Sequence, residues 1–277
     1  MHRAAVLGSP VAHSLSPALH TAGYRAAGLA GWVYTAVDCD AERLPGLVRS
    51  AGPEWVGYSV TMPGKAAAAA VADHRSARVT GLGVANTLVR AAGGWAAENT
   101  DVDGVLGALR AAGVPPVDRA VVLGGGHTAR AVVAALAERG TGAVVLAGRR
   151  PESTAACADL ARRCGLPVAE TGLSPAAVAA AVDGAGLLVS TLPAGVADHL
   201  ASTAAAVPAL LDAVYHPWPT PLAAAGPPDR VTVTGLDMLL HQALRQFELF
   251  TGMPAPAAAM RDGLLAATGA DLPLPLA

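Results

Sequence analysis

The chain has 277 residues, 53% hydrophobic and 14% charged, with a formal net charge of −2. That length fits one large or two modest domains, and the apolar content excludes an intrinsically disordered chain. The charge balance gives no electrostatic case for nucleic acid or an anionic membrane surface, and no run of about 18 apolar residues is free of Gly, Pro or charge.

Short β-branched runs alternate with Ala-rich stretches, the pattern of parallel α/β units. Ala4–Leu7 predicts a first strand, Pro17–Gly28 a helix, and Trp32–Val37 a second strand. Trp55–Val60 predicts a third, whose end delivers Thr61 and Lys65. Apolar runs at Thr87–Arg90 and Gly94–Ala97 and a helix over Val102–Ala112 complete this part, and Gly113-Val-Pro-Pro is a natural boundary. Arg119–Gly124 then predicts a buried strand running into glycines. Helix, strand (Ala143–Ala147), helix, strand (Leu187–Ser190) and strand (Ala209–Val214) follow. From Gly235 the pattern becomes an amphipathic helix with Leu239, Leu240, Ala243 and Phe247 on one face. Because the second part already has its own layers, this helix is expected to return to the first. The Pro-rich tail from Asp271 is expected to fray.

The boundaries are therefore 1–104, 105–234 and 235–277. Cys39, Cys157 and Cys164 form no CxxC pair and read as reduced structural thiols, with no metal site. The start MHRAAVLGSP reads as a strand rather than a signal core, so a cytoplasmic protein is expected.

Lys65 is the single lysine; the remaining 18 of the 19 basic side chains are arginine. Arg holds its proton in any realistic protein setting, whereas Lys can release it. A lone amine in so Arg-biased a chain is a candidate for proton transfer, the alternative being a surface lysine of no consequence.

Gly124-Gly125-Gly126-His127-Thr128-Ala129 fits G-x-G-x-x-A between a strand and a helix. There the glycines permit a tight turn and close approach of a pyrophosphate, and the small Ala129 permits close helix–strand packing. The next strand ends in Arg149 and Arg150 with no acid at its end, which favours a ribose 2′-phosphate, hence NADP over NAD. In the first part, Ser14 and Ser16 stand just before a helix, where hydroxyls and free N–H groups could bind a carboxylate. Asn86, Thr87 and Glu98-Asn-Thr-Asp101 each read alone as a turn or cap. Together with Lys65 they make a set suited to a small polyhydroxylated acid.

The segments GSPVAHSLSP, SVTMPGK, GVANT, ENTDVDG, GGGHTARA, DAVYHPWPTPL and GLDMLLHQ, in this order over nearly the whole chain, resemble the shikimate dehydrogenase family. The resemblance implies an α/β fold with an N-terminal substrate-binding domain, a Rossmann-like NADP-binding domain and a returning C-terminal helix. It implies reversible NADPH-dependent reduction of 3-dehydroshikimate to shikimate in aromatic amino acid biosynthesis. By motif position it makes Lys65 and Asp101 the catalytic pair. Ser14 and Ser16 would hold the substrate carboxylate, with Ser59, Thr61, Asn86, Tyr215 and Gln242 around the rest of the substrate. Thr191, Val214 and Gly235 would line the nicotinamide side.

By itself Tyr215 is a buried aromatic and Gln242 a polar position on a helix; the flanking motifs reverse that. The chain departs from the family at Ser59 and Thr21, where Asn is common, and at His127, where a small residue is more usual. A small-molecule substrate, no nucleic-acid or membrane partner, and a monomer or homodimer are expected. The alternatives are a quinate-acting paralogue, a non-catalytic NADP-binding module, and a folate-linked methylene dehydrogenase, which would not need the serine pair.

Overall fold

The computed structural model describes residues 1–270 and Leu272. The fraying expected of the Pro-rich tail falls, Leu272 apart, outside the described residues. The chain divides into two compact units: Met1–Asp103 with the segment from Leu240 onward, and Gly104–Leu239.

The first unit opens with β1 (His2–Gly8), α1 (Ser16–Ala26), β2 (Trp32–Asp38), α2 (Leu44–Arg49) and β3 (Trp55–Val60). It continues with α3 (Lys65–Val71), β4 (His74–Arg75), α4 (Ala77–Leu82), β5 (Thr87–Ala91) and β6 (Gly94–Glu98). Its sheet runs β2-β1-β3-β5-β6-β4. Strand β1 is parallel to both neighbours, and β5 is antiparallel to β3 and β6. The centre of β1 is buried because it has a strand on each side and helices above, so it reads as a continuous apolar run. On one face Tyr58 stacks on Trp55 at 5.0 Å and tilts against Trp95 at 5.1 Å, within a core that includes Leu7, Leu44 and Leu88.

Helix α5 (Asp101–Ala111) leads into the second unit, whose strands are β7 (Arg119–Leu123), β8 (Ala143–Ala147) and β9 (Val168–Thr171), then β10 (Leu187–Ser190), β11 (Ala209–Asp212) and β12 (Val231–Thr234). Between them lie α6 (His127–Glu138), α7 (Pro151–Arg163), α8 (Pro175–Val182), a 3-10 turn (Asp198–Leu200) with α9 (Ala201–Ala204), and α10 (Pro221–Ala224). The sheet order is β12-β11-β10-β7-β8-β9 with every pairing parallel. Counted within the unit from β9, that is 3-2-1-4-5-6, the doubly wound order. The order reverses between β7 and β10, so ligands are expected outside the carboxyl ends of those two strands.

Helices α11 (Gly235–Thr251) and α12 (Ala257–Thr268) end the described chain. From Leu240 on, α11 belongs to the first unit, as the expected return of the C-terminal helix requires. Glycine makes that packing possible. A Cβ on Gly57 of β3 would lie 2.2 Å from the Phe250 ring, and one on Gly23 of α1 would lie 3.0 Å from Phe247 and from Met260. Phe247 and Met260 are fully buried as a result.

The chain pattern misses β4, β9 and β12, three edge strands. It also runs the Ala209 strand to Val214, although β11 stops at Asp212, whose side chain is taken by the following loop. No helix among the described residues is long and apolar enough to cross a membrane.

Candidate active site and nucleotide cradle

Strand β3 ends in a tight turn: Thr61 N–H donates to Leu7 O at 2.8 Å and Gly64 N–H to Thr61 O at 2.9 Å. The turn makes Lys65 the first residue of α3. The positive end of a helix dipole is an unfavourable place for an ammonium, and a nearby carboxylate offsets it. Asp101 supplies that carboxylate. Lys65 Nζ is ion-paired with Asp101 Oδ2, the two side chains being 13% and 9% exposed. Asp101 itself opens α5, where the same dipole favours an anion.

Two loops are stitched together to hold Asp101 in place. Asn86 Nδ2 donates to Asp101 Oδ1 and to Thr100 Oγ1, both at 2.9 Å. Asn86 Oδ1 accepts from Thr100 N–H at 2.7 Å and from the Thr87 hydroxyl at 2.8 Å. Because a backbone N–H can only donate, this arrangement fixes which way the Asn86 amide faces. Asn99 completes the seam, donating to Val84 O at 3.1 Å and accepting from Asp101 N–H at 3.1 Å. Gln242 on α11 is buried, with Oε1 at 3.4 Å from Asn86 Nδ2 and 3.5 Å from Thr100 Oγ1.

Ser14 accepts the Ser16 N–H at 3.3 Å, which leaves the Ser14 hydroxyl hydrogen uncommitted by that bond. Ser16 is buried. Ser59 is 4% exposed: its hydroxyl accepts from Tyr34 at 2.7 Å and donates to Gln246 Oε1 at 2.7 Å. The Ser59 hydroxyl thus links Tyr34 on β2 to Gln246 on α11. Gln246 Nε2 in turn donates to Thr87 Oγ1 at 2.9 Å and Asn86 O at 3.3 Å.

Tyr34 and Gln246 are the residues that the chain pattern does not single out. Gln246 follows Gln242 by one helical turn, a polar stripe on an otherwise apolar face that marks it. Beside Tyr34, the His20 ring stacks at 4.2 Å and 3°. Neither ring nitrogen of His20 has a well-formed hydrogen bond. Burial lowers its pKa to about 3, a marginal contact from Gln246 offsetting only part of that effect.

In the second unit, β7 runs into Gly124 at φ +106, a backbone conformation that glycine adopts freely. A Cβ on Gly124 would also sit 2.6 Å from Thr191 Oγ1, while Thr191 bonds Leu123 O through both its N–H (3.0 Å) and its hydroxyl (2.9 Å). Those bonds join the ends of β7 and β10 at the point of strand reversal. A Cβ on Gly125 would lie 1.8 Å from Ser153 O, whereas Gly126 faces open space. Gly126 caps α6 with no side-chain hydrogen bond among the described residues, His127 and Thr128 form the first turn, and Ala129 is fully buried. The first-turn N–H groups of such a helix are an anion site.

Arg149 and Arg150 are exposed at the end of β8. Arg149 lines a cavity of about 540 Å³ with Gly148, Thr154 and Glu170, as well as Glu152. The acid-free strand end expected from sequence is thus accompanied by two nearby acids. Glu170 is engaged, however, by Thr154 Oγ1 at 2.7 Å and by Arg162 at 3.5 Å.

Val214 and Tyr215 sit on a loop anchored by buried Asp212. Its Oδ1 accepts the Val214 N–H at 3.2 Å and its Oδ2 the Thr220 hydroxyl at 2.8 Å. Burial raises the Asp212 pKa, and these bonds counter it. Tyr215 is 37% exposed and its phenol is pushed up by partial burial. A Cβ on Gly235 would strike Ala213 O at 2.1 Å. Tyr215 lies in the second unit and the other expected substrate contacts in the first. No cluster of three or more His, Cys, Asp or Glu among the described residues could hold a metal ion.

Residues 6–88 match the family model described as shikimate dehydrogenase substrate binding domain, and residues 235–265 match the shikimate 5'-dehydrogenase C-terminal domain. A shikimate dehydrogenase (NADP(+)) of Moorella thermoacetica is 37% identical over 281 aligned residues, spanning 96% of this chain and 94% of the relative. The structure is similar to that of Mycobacterium tuberculosis shikimate dehydrogenase, with TM-score 0.90 and 49% identity over 96% of this chain and 100% of that one. It is also similar to Thermus thermophilus shikimate 5-dehydrogenase in complex with NADP(H) and shikimate, with TM-score 0.81 and 33% identity over 96% of this chain and 100% of that one. With matches at this identity running almost end to end, the chain belongs to the shikimate dehydrogenase family.

Proposed function

We propose that this protein is an NADP-dependent oxidoreductase that interconverts 3-dehydroshikimate and shikimate in the cytoplasm. The observation that carries the reading is the part-buried Lys65–Asp101 pair, cross-stitched to Asn86 and Thr100 in the unit that matches the substrate-binding family model. Lys65 Nζ gives a proton to the substrate carbonyl oxygen as that carbon becomes tetrahedral, and takes it back in the oxidative direction. Asp101 orients the ammonium through Oδ2 and hydrogen-bonds a substrate hydroxyl. Ser14 and Ser16 hold the carboxylate, and Thr61, Asn86, Gln242 and Tyr215 take the ring and its hydroxyls. In this division residues 1–104 and the helices after 235 bind substrate, and 105–234 bind the nucleotide.

The second unit suits NADP. The open space at Gly126 and the uncapped start of α6 admit a pyrophosphate, and Arg149 with Arg150 presents guanidinium groups to a 2′-phosphate. Thr191, Val214 and Gly235 line the nicotinamide end. NADPH, when bound, supplies the hydride. A spectrophotometric assay of shikimate and quinate, each with NADP and NAD, tests the reading. Turnover with shikimate and NADP is expected; saturable NADPH binding without any turnover, or turnover confined to quinate with NAD, overturns it.

A further inference from the structure

We propose that Gln246 is a positioning residue: acting through the Thr87 hydroxyl, it strengthens the hold of Asn86 on Asp101 and so keeps the Lys65–Asp101 pair in its working geometry. This inference rests on the reading of that pair as the proton-transfer machinery.

Side-chain amides are scarce in this chain. It contains two asparagines and two glutamines, and all four, Asn86, Asn99, Gln242 and Gln246, are buried. Asn86 and Asn99 bond Asp101 itself, and Gln242 approaches Asn86 at 3.4 Å. Gln246 stands one layer further back and is 1% exposed. A buried amide is costly unless its bonds are made, so those bonds are what give the position its meaning.

Their directions leave little freedom. Asn86 O can only accept, so Gln246 turns Nε2 toward it and Oε1 toward the Ser59 hydroxyl, which donates at 2.7 Å. Nε2 also donates to Thr87 Oγ1 at 2.9 Å. Thr87 has a single hydroxyl hydrogen, which goes to Asn86 Oδ1 at 2.8 Å rather than to Thr100 Oγ1 at 3.4 Å. Asn86 Nδ2 then donates to Asp101 Oδ1 at 2.9 Å. From Gln246 to Asp101 every bond therefore points the same way, and the series ends on a carboxylate. Hydrogen bonds aligned head to tail polarise one another, so a donor at the far end strengthens the donation to the anion. Held by Oδ1 from this side, Asp101 is left with Oδ2 for Lys65.

The test cuts the series at two links. Gln246→Met keeps the length of the side chain and removes the amide. In single turnovers of shikimate with NADP, followed by stopped flow, the hydride-transfer rate should fall about 3- to 10-fold, the worth of one neutral hydrogen bond. KM for NADP should hold. Thr87→Val leaves Ser59 bonded to Gln246 and should cost at least as much, while Thr87→Ser, which keeps the hydroxyl, should recover most of the rate. Gln246→Met added to Thr87→Val should slow the enzyme no further, because the link it acts through is already gone. Additive losses, or a full rate in Gln246→Met with only a lower melting temperature, overturn the inference. A second readout needs no turnover. Labelled with ¹⁵N-asparagine, the protein gives two side-chain amide groups, those of Asn86 and Asn99. The Asn86 proton on Asp101 should move upfield in Gln246→Met, and the same substitution should leave it in place once Thr87 is Val. A signal that ignores Gln246, or shifts as far without the Thr87 hydroxyl, counts against the inference. A wild type inactive on shikimate sinks the assigned activity itself, and the amide spectra then decide the role of Gln246 separately.

Discussion

Lys65 and Asp101, 36 residues apart, each occupy the first position of a helix, and their side chains close an ion pair between the starts of α3 and α5. The anion sits where its helix favours it and the cation where its helix does not, so the pair depends on Asp101 more than on Lys65 for its placement.

Removing the amine should leave the fold intact and stop the chemistry. Lys65→Ala is expected to lower kcat by about 10²–10⁴-fold, the usual contribution of a general acid–base, with NADPH affinity and melting temperature near wild type. Lys65→Arg should fare almost as badly, because guanidinium keeps its proton. Near wild-type turnover in Lys65→Arg would show that the group acts by charge alone.

Adjacent glycines in the nucleotide turn should respond in opposite ways. Gly125→Ala drives a methyl into a backbone carbonyl that cannot swing aside, at 1.8 Å. A cost of about 1–3 kcal/mol or more is expected from such overpacking, visible as a lowered urea midpoint. Gly126→Ala meets nothing within 4 Å and should melt like wild type. It should nevertheless bind NADPH more weakly in a fluorescence titration, because the methyl occupies the space a pyrophosphate needs.

Arg149→Ala combined with Arg150→Ala should raise KM for NADPH while leaving KM for NADH nearly unchanged. The measurement is the ratio of the two values of kcat/KM, and a constant ratio removes both arginines from the choice of cofactor.

His20 predicts an acid-labile fold. Unfolded, its imidazole takes a proton as pH falls below about 6.5; folded, burial holds protonation off until about 3. The unfolded state therefore binds more protons across this window, and stability falls with pH by up to about 1.4 kcal/mol per unit. His20→Phe keeps a ring against Tyr34 and should flatten that dependence. Urea midpoints from pH 7 down to pH 4 check it; parallel curves for the two proteins would absolve His20.

The legible and the hidden residues differ in where their meaning resides. Lys65, Asn86 and Asp101 stand in short segments whose turns and helix starts are local events, so sequence reaches them. Tyr34 gains its meaning from Ser59, 25 residues away, and nothing around it in β2 announces that meeting. The strands β9 and β12 are edges of the second sheet, where one side lacks a partner and burial leaves a weaker apolar signature. Val231-Thr-Val-Thr234 does carry an alternating pattern, but it is short and runs straight into Gly235 and α11. Ser59 was legible as a position and not as a role, because its burial and its two partners arise only once β2, β3 and α11 are packed.

The solitary lysine turns the protein into its own spectroscopic reporter. Expressed with ¹⁵N-lysine, it would give one side-chain ammonium resonance, and that resonance would come from the nitrogen paired with Asp101. No substitution, tag or assignment strategy is needed to follow it through a titration with shikimate, with NADP, or with both.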